Sequence, residues 1–302
     1  MAVAAIAAGI RVAALRHLRL CSAQAKSLAG FYESALGFRQ LAVEHLSGAQ
    51  SQERFGMSGR TLRITLGLGA QRVQLLQFVD RPGRPCPHGG IASDLMFQHF
   101  AIVVFDMAAA VARLARATGW RPISTGGPQQ LPASSGGVVA FKFRDPEGHP
   151  LELLAFPADA MPTRWRHVSA HGLFLGIDHS AISVADSARS IAFYEALGLT
   201  VAKRSVNDDP AQARLDNLDK PLVEVTTMDL DQAPPHLELL AYRNSGLRVA
   251  PDLRVNDVAA TCMVFEAYPP MPRWRERRTR LQNLVDPDGH HLAIEWAGSG
   301  PG

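Results

Sequence analysis

Along this chain, short stretches in which apolar and polar residues alternate are interrupted by segments whose apolar residues recur at helical spacing. In HLRL, beginning at His17, period-2 alternation sends Leu18 and Leu20 to one face and His17 and Arg19 to the other. The runs TLRITLGL, RVQLLQFV, GGVVAFKF, PLELLAF, LVEVTTM and HLELLAY read as further strands. The segment from Asp106 to Thr118 carries Ala, Val and Leu at helical spacing, begins with a residue that can cap a helix and stops at Gly119. FYESALGF at Phe31 and FYEALGL at Phe193 each read as the end of a helix closed by glycine.

These elements repeat. His17 precedes Tyr32 by the same 15 residues that separate His179 from Tyr194, and DPEGH at Asp145 recurs as DPDGH at Asp286. His99 and Asp106 stand 7 residues apart, as do His179 and Asp186, so each half contains a further repeat. The chain therefore reads as a duplication, residues 10–158 and 174–297, each built of two strand-helix-strand-strand-strand units. The units fall at about 10–82, 96–158, 174–243 and 248–297, and the class is α+β. DPEG suits a type I turn, with Pro at the second position and Gly at the fourth, joining AFKF to LELL as a hairpin. Pro- and Gly-rich residues 80–94 and 157–172 read as linkers, and the basic loop from Tyr268 to Arg280 as a solvated one.

Composition removes some classes. Of 302 residues, 47% are hydrophobic and 20% charged, an ordinary globular balance, and a formal charge of +3 is too mild to point to nucleic acid. No apolar run reaches the roughly 20 residues of a membrane helix. The opening MAVAAIAAGIRVAAL has an apolar stretch but no basic start or cleavage site, so a cytoplasmic location is expected. Cys21, Cys86 and Cys262 form no CxxC pair and read as packing residues in a reducing compartment. His88 reads as a loop residue.

Strand-leading histidines, the FYxxxLGF helix end and the DPxGHxLEL hairpin, four units over, resemble the vicinal oxygen chelate superfamily of glyoxalases, bleomycin resistance proteins and extradiol dioxygenases. The resemblance implies units paired into two cup-shaped mixed sheets with helices outside. It also implies a divalent transition metal (Fe, Mn, Ni or Zn) held by first and last strands. Pairing the units in order puts His17, His99 and Glu152 together, with Gln74 as a weaker fourth ligand, in the first half. In the second half His179 and Glu238 keep ligand-type residues, but Ala250 and Ala293 fall where a His and a Glu are expected, and Glu295 lies two residues on. One metal is expected, in the first half. Strand parity agrees in separating Glu152 from Leu151 and Leu153.

Such a site leaves positions open for a small substrate with adjacent oxygens. Three readings follow. The first is a glyoxalase-like isomerase or lyase with Glu152 as the displaceable base, and Arg19, Arg72 and Lys142 available to an anionic substrate. The second is an extradiol dioxygenase using Fe(II). Against it, that branch fills the second half, and Lys142 and Arg72 stand where it carries a Tyr and a His. The third is a metal-free small-molecule binder. The resemblance is also compatible with a homodimer.

Overall fold

The computed structural model describes residues 10–96, 98–166, 172–232, 234–244, 253–268 and 281–296. Unit one comprises β1 (Val12–Cys21), α1 (Ala25–Leu36), β2 (Arg39–Leu46), α2 (Gly48–Phe55), β3 (Thr61–Leu68) and β4 (Gln71–Phe78). Unit two comprises β5 (Gln98–Val104), α3 (Met107–Leu114), the short β6 (Arg121–Pro122) and β7 (Gln129–Gln130), β8 (Val139–Arg144) and β9 (Pro150–Ala155). After α4 (Thr163–Arg166), unit three runs through β10 (Phe174–Ser183), α5 (Ser187–Ala196), β11 (Thr200–Asn207), α6 (Pro210–Asp216), β12 (Val223–Asp229) and β13 (His236–Tyr242). Unit four shows β14 (Cys262–Ala267), β15 (Leu281–Val285) and β16 (His291–Trp296).

The local signals act as expected. Asp106 and Asp186 cap α3 and α5, each accepting from the backbone N–H three residues on. Leu18, Leu20, Leu151 and Leu153 all lie in one apolar core with Leu237, Leu239, Met263 and Phe265. That core draws on residues of every unit and on α1, α3 and α5. The face opposite these leucines is thereby left for polar chemistry.

The sheets depart from the expected pairing. One runs β15-β16-β14-β1-β4-β3-β2 and the other β11-β12-β13-β10-β5-β9-β8-β6, with β7 beside β8. Unit one thus shares a sheet with unit four, and unit two with unit three. The joints are antiparallel contacts of first strands, β1 with β14 and β5 with β10. Parity decides which face of a strand is buried, but it is identical for either choice of neighbour, so the alternation could not select the edge.

The two DPxGH hairpins do a different job. Asp145 closes its turn by accepting from Gly148 N–H, and Gly148 has φ +99°, a conformation that favours glycine. The same carboxylate accepts from Tyr32 Oη at 3.1 Å and meets His149 Nδ1 at 2.8 Å, while His149 Nε2 lies 2.9 Å from the Cys21 carbonyl. Asp286 repeats this with Tyr194 at 3.0 Å, and His290 Nε2 reaches the Ser183 carbonyl at 2.9 Å. The hairpins therefore tie the two units of each half, whereas the sheets join units across the halves.

Candidate metal centre

Register places four ligand-type side chains around the β5–β10 joint. His99 is opposite Ala181 and His179 opposite Ala101, while Ala101 pairs with Glu152 on β9 and Ala181 with Glu238 on β13. The arrangement is two-fold: a first-strand His and a last-strand Glu from each unit, on one face. His99, Glu152 and His179 offer ligand atoms that all lie within 4.8 Å of one another. His99 Nε2 is 3.0 Å from Glu152 Oε2, and His179 Nε2 is 3.7 Å from Glu238 Oε2. The His99 and His179 rings meet edge to face at 5.9 Å.

Further groups surround this set. Asp178, His179 and His236 form a second cluster of ligand-type atoms. Asp178 precedes His179, so alternation alone would turn it away, but the β10–β5 register shifts between Ile177 and His179. This irregularity brings the Asp178 carboxylate to 3.4 Å from His179 Nδ1, a re-aiming that bulges commonly produce. Asp178 Oδ1 accepts from Trp165 Nε1 and Arg164 Nη2 on α4. His236 lies two residues before Glu238 on β13, and its Nε2 is 3.6 Å from Glu238 Oε1. Lys142, opposite Glu152 on β8, is buried, with Nζ 2.6 Å from Asp216 and 3.9 Å from Glu152. A cavity of about 310 Å³ opens over these groups, lined also by Lys203, Asn207, Leu154 and Leu240.

The electrostatics favour added positive charge. Burial alone would raise the carboxyls of Glu238, Glu152 and Asp178, but their cationic neighbours prevail: Glu238 falls to about 2, and Glu152 and Asp178 also lie below their ordinary range. For His179, burial opposes protonation, yet Glu238 and Asp178 hold its pKa up to about 9. His99, lowered by burial and by Lys142, stays neutral and can donate to Glu152. Burial likewise opposes the Lys142 charge, and Asp216 and Glu152 more than offset it.

The sequence-derived set is divided by this geometry. His99, Glu152 and Lys142 come together. His17, Arg19, Gln74 and Arg72 belong to the other sheet, because β1 and β4 pair there. The expectation that His17 and Gln74 join His99 and Glu152 is therefore corrected, as is the expectation that the first half holds a site by itself. His179 and Glu238, set aside because their partners were sought in their own half, complete the cluster. His236 shares the parity of Glu238 and was legible in HLEL; Asp178 was hidden by the strand irregularity.

In the other sheet, His17 is opposite Val264, Arg19 opposite Cys262 and beside Gln74, and Val264 beside Ala293. By register the counterparts of His99, Glu152 and Glu238 are thus Cys262, Ala293 and Gln74. Ala250, expected at the vacated His position, lies outside the described residues, and Cys262 takes that place. His17 is buried, and burial together with Arg19, Arg16 and Arg63 pushes its pKa well below the ordinary value. Glu295 lies 3.5 Å from Arg19 and 3.9 Å from Arg16.

With the repeat and both sheets established, the family match is decisive: the model for the Glyoxalase/Bleomycin resistance protein/Dioxygenase superfamily matches residues 14–153 and 176–294. The chain belongs to that superfamily. Glyoxalase I from Zea mays is similar in fold, with a TM-score of 0.58 at 17% identity over 95% of this chain and 92% of that one. A candidate dioxygenase from Bacillus subtilis subsp. subtilis str. 168 gives a TM-score of 0.52 at 12% identity, over 96% and 87% of the two chains. No curated protein matches the sequence. Among the described residues, no helix is long and apolar enough to cross a membrane.

Proposed function

We propose that the chain is a divalent-metal-dependent enzyme that chelates a small substrate through adjacent oxygens and moves a proton next to a carbonyl, in the manner of a glyoxalase-like isomerase or lyase. The observation that carries this is the convergence of two imidazoles and two carboxylates, His99, Glu152, His179 and Glu238, from two units sharing a sheet. The fit to a cation rests on the donor set: mixed nitrogen and oxygen ligands suit Ni, Zn, Mn or Fe. It rests also on charge, since Glu152, Asp178 and Glu238 bring three carboxylates to the two imidazoles.

Bound there, such an ion supplies Lewis-acid polarisation of the substrate's oxygens. The protein's own residues do the rest. Glu152, buried yet anionic, takes a proton from the carbon beside the carbonyl and returns it to the neighbouring carbon. Lys142, fixed by Asp216, keeps a positive charge beside Glu152, while Lys203 and Arg164 line the cavity and favour an anionic substrate. Leu131, Val138, Leu154 and Leu240 present an apolar wall that excludes water from the transfer.

A metal-free binder of anions is the second reading, favoured by the direct His99–Glu152 contact, which pairs these two side chains without an ion. Elemental analysis after purification without chelators separates the two. The enzyme reading expects about one transition metal per chain, lost in both His99→Ala and His179→Ala. A metal-free wild type, or metal unaffected by both substitutions, overturns it. With metal present, an α-hydroxycarbonyl deuterated at the reacting carbon should lose label to solvent. Oxygen consumption with a catechol would instead assign ring cleavage.

A further inference from the structure

The second sheet preserves the cup and reverses its electrostatics. Register relates each position: Asp178 corresponds to Arg16, Ala181 to Arg19, Glu238 to Gln74 and Glu152 to Ala293. Three carboxylates are replaced by a guanidinium, an amide and a methyl group, and a second guanidinium stands where the other cup has a small residue. Even the strand irregularity recurs, between Leu15 and His17, and it accompanies Arg16 as its counterpart accompanies Asp178.

Arg19 is only 5% exposed, and its Nε has no hydrogen-bond partner. The guanidinium lies over the Phe55 ring at 5.1 Å, and its nearest carboxylate, Glu295 at 3.5 Å, is shared with Arg16. Arg19 lines a cavity of about 380 Å³ whose other walls include Phe55, Leu76, Phe78, Leu284 and Leu292. A buried cation with an unused donor at an apolar cavity favours an anion, since charge-assisted hydrogen bonds in low dielectric are the strong ones.

We propose that this second cup is a binding site for an amphipathic carboxylate, its head on Arg19 and its apolar body against Phe55, Leu76 and Phe78. The guanidinium occupies the role of a fixed cation where the ligand set for a metal has been lost. The site stands independently of the metal-centre reading, because it shares no residue with that cluster.

Octanoate, with octanol as its uncharged counterpart, tests this on the full chain by titration calorimetry. Wild type should bind octanoate saturably, and octanol at least about tenfold more weakly, the worth of one charge-assisted hydrogen bond. Arg19→Leu should remove that preference and Arg19→Lys should restore part of it. Asn283→Trp, at an exposed position on the cavity wall and on the same face as Ala293, narrows the cavity, should abolish octanoate binding and carries the test if Arg19→Leu fails to fold. His99→Ala should leave octanoate binding intact whether or not the first cup holds metal. Equal binding of octanoate and octanol, persistence in Asn283→Trp, or loss on His99→Ala overturns the proposal, as does the absence of saturable binding.

Discussion

The hydroxyl of Tyr32 donates to the carboxylate of Asp145, 113 residues away, inside a fully buried contact between the first and second units. The Phe-Tyr helix end and the DPxGH turn, which recur together in the sequence, are thus two sides of one joint. Glu147 of the same turn accepts from Ser22 Oγ and from the Ala23 and Gln24 N–H groups at the start of α1. Asp288 does the corresponding work in the other half, accepting from Ala185 N–H, Ser190 Oγ and Arg189.

Tyr32→Phe should therefore lower stability by about 1–2 kcal/mol, the cost of depriving a buried carboxylate of one donor. Tyr194→Phe should behave alike, and the two should add, since they lie in separate joints. Urea unfolding of the single and double variants measures this, and strong non-additivity would show that the joints are coupled.

Lys142→Met should be among the costliest single changes, about 3–5 kcal/mol, because it strands the buried carboxylate of Asp216, which also accepts from Gln212 and Tyr242. Adding Asp216→Asn should recover a large part. Denaturant midpoints of the two single variants and the double variant complete the cycle.

His149 supplies a pH signature. Burial opposes its charge, but Asp145 at 2.8 Å more than compensates, so the folded-state pKa is raised. A raised value means the charged pair stabilises fully below about pH 6.5, the unfolded value. That contribution is lost as pH rises through the higher folded value. His149→Gln should flatten the fall of stability across this window, as thermal melts at a series of pH values would detect.

His17→Ala should leave metal content unchanged, whereas Glu238→Gln should reduce metal affinity by about ten-fold or more, the scale for altering a carboxylate that supports a ligand histidine. Chelator competition with each purified variant reads both. Metal loss in His17→Ala would return His17 to the ligand set.

The fold was legible because periodicity and turn chemistry are local. Alternation fixed the faces of His17 and Glu152, and the repeated His–Tyr and His–Asp spacings revealed the units. What the alternation leaves open is which first strands meet, and the composition of the site depends on that. Judged within their own half, His179 and Glu238 looked abandoned; beside β5 they complete a set. Cys262 was missed as the counterpart of His99 because matching relied on sequence spacing, which placed the position at Ala250, outside the described residues. Asp178 escaped because a one-residue irregularity breaks the rule that neighbours point apart.

The joining of β1 to β14 has a consequence for synthesis. The second and third units can close their shared sheet as soon as Tyr242 has left the ribosome, but β1, made before both, must wait for β14, made after both. Until then its edge is an open template for another nascent chain. Translation past β14 is therefore the event that ends the protein's exposure to mispairing, and a message truncated before Cys262 would release a product with that edge permanently uncovered.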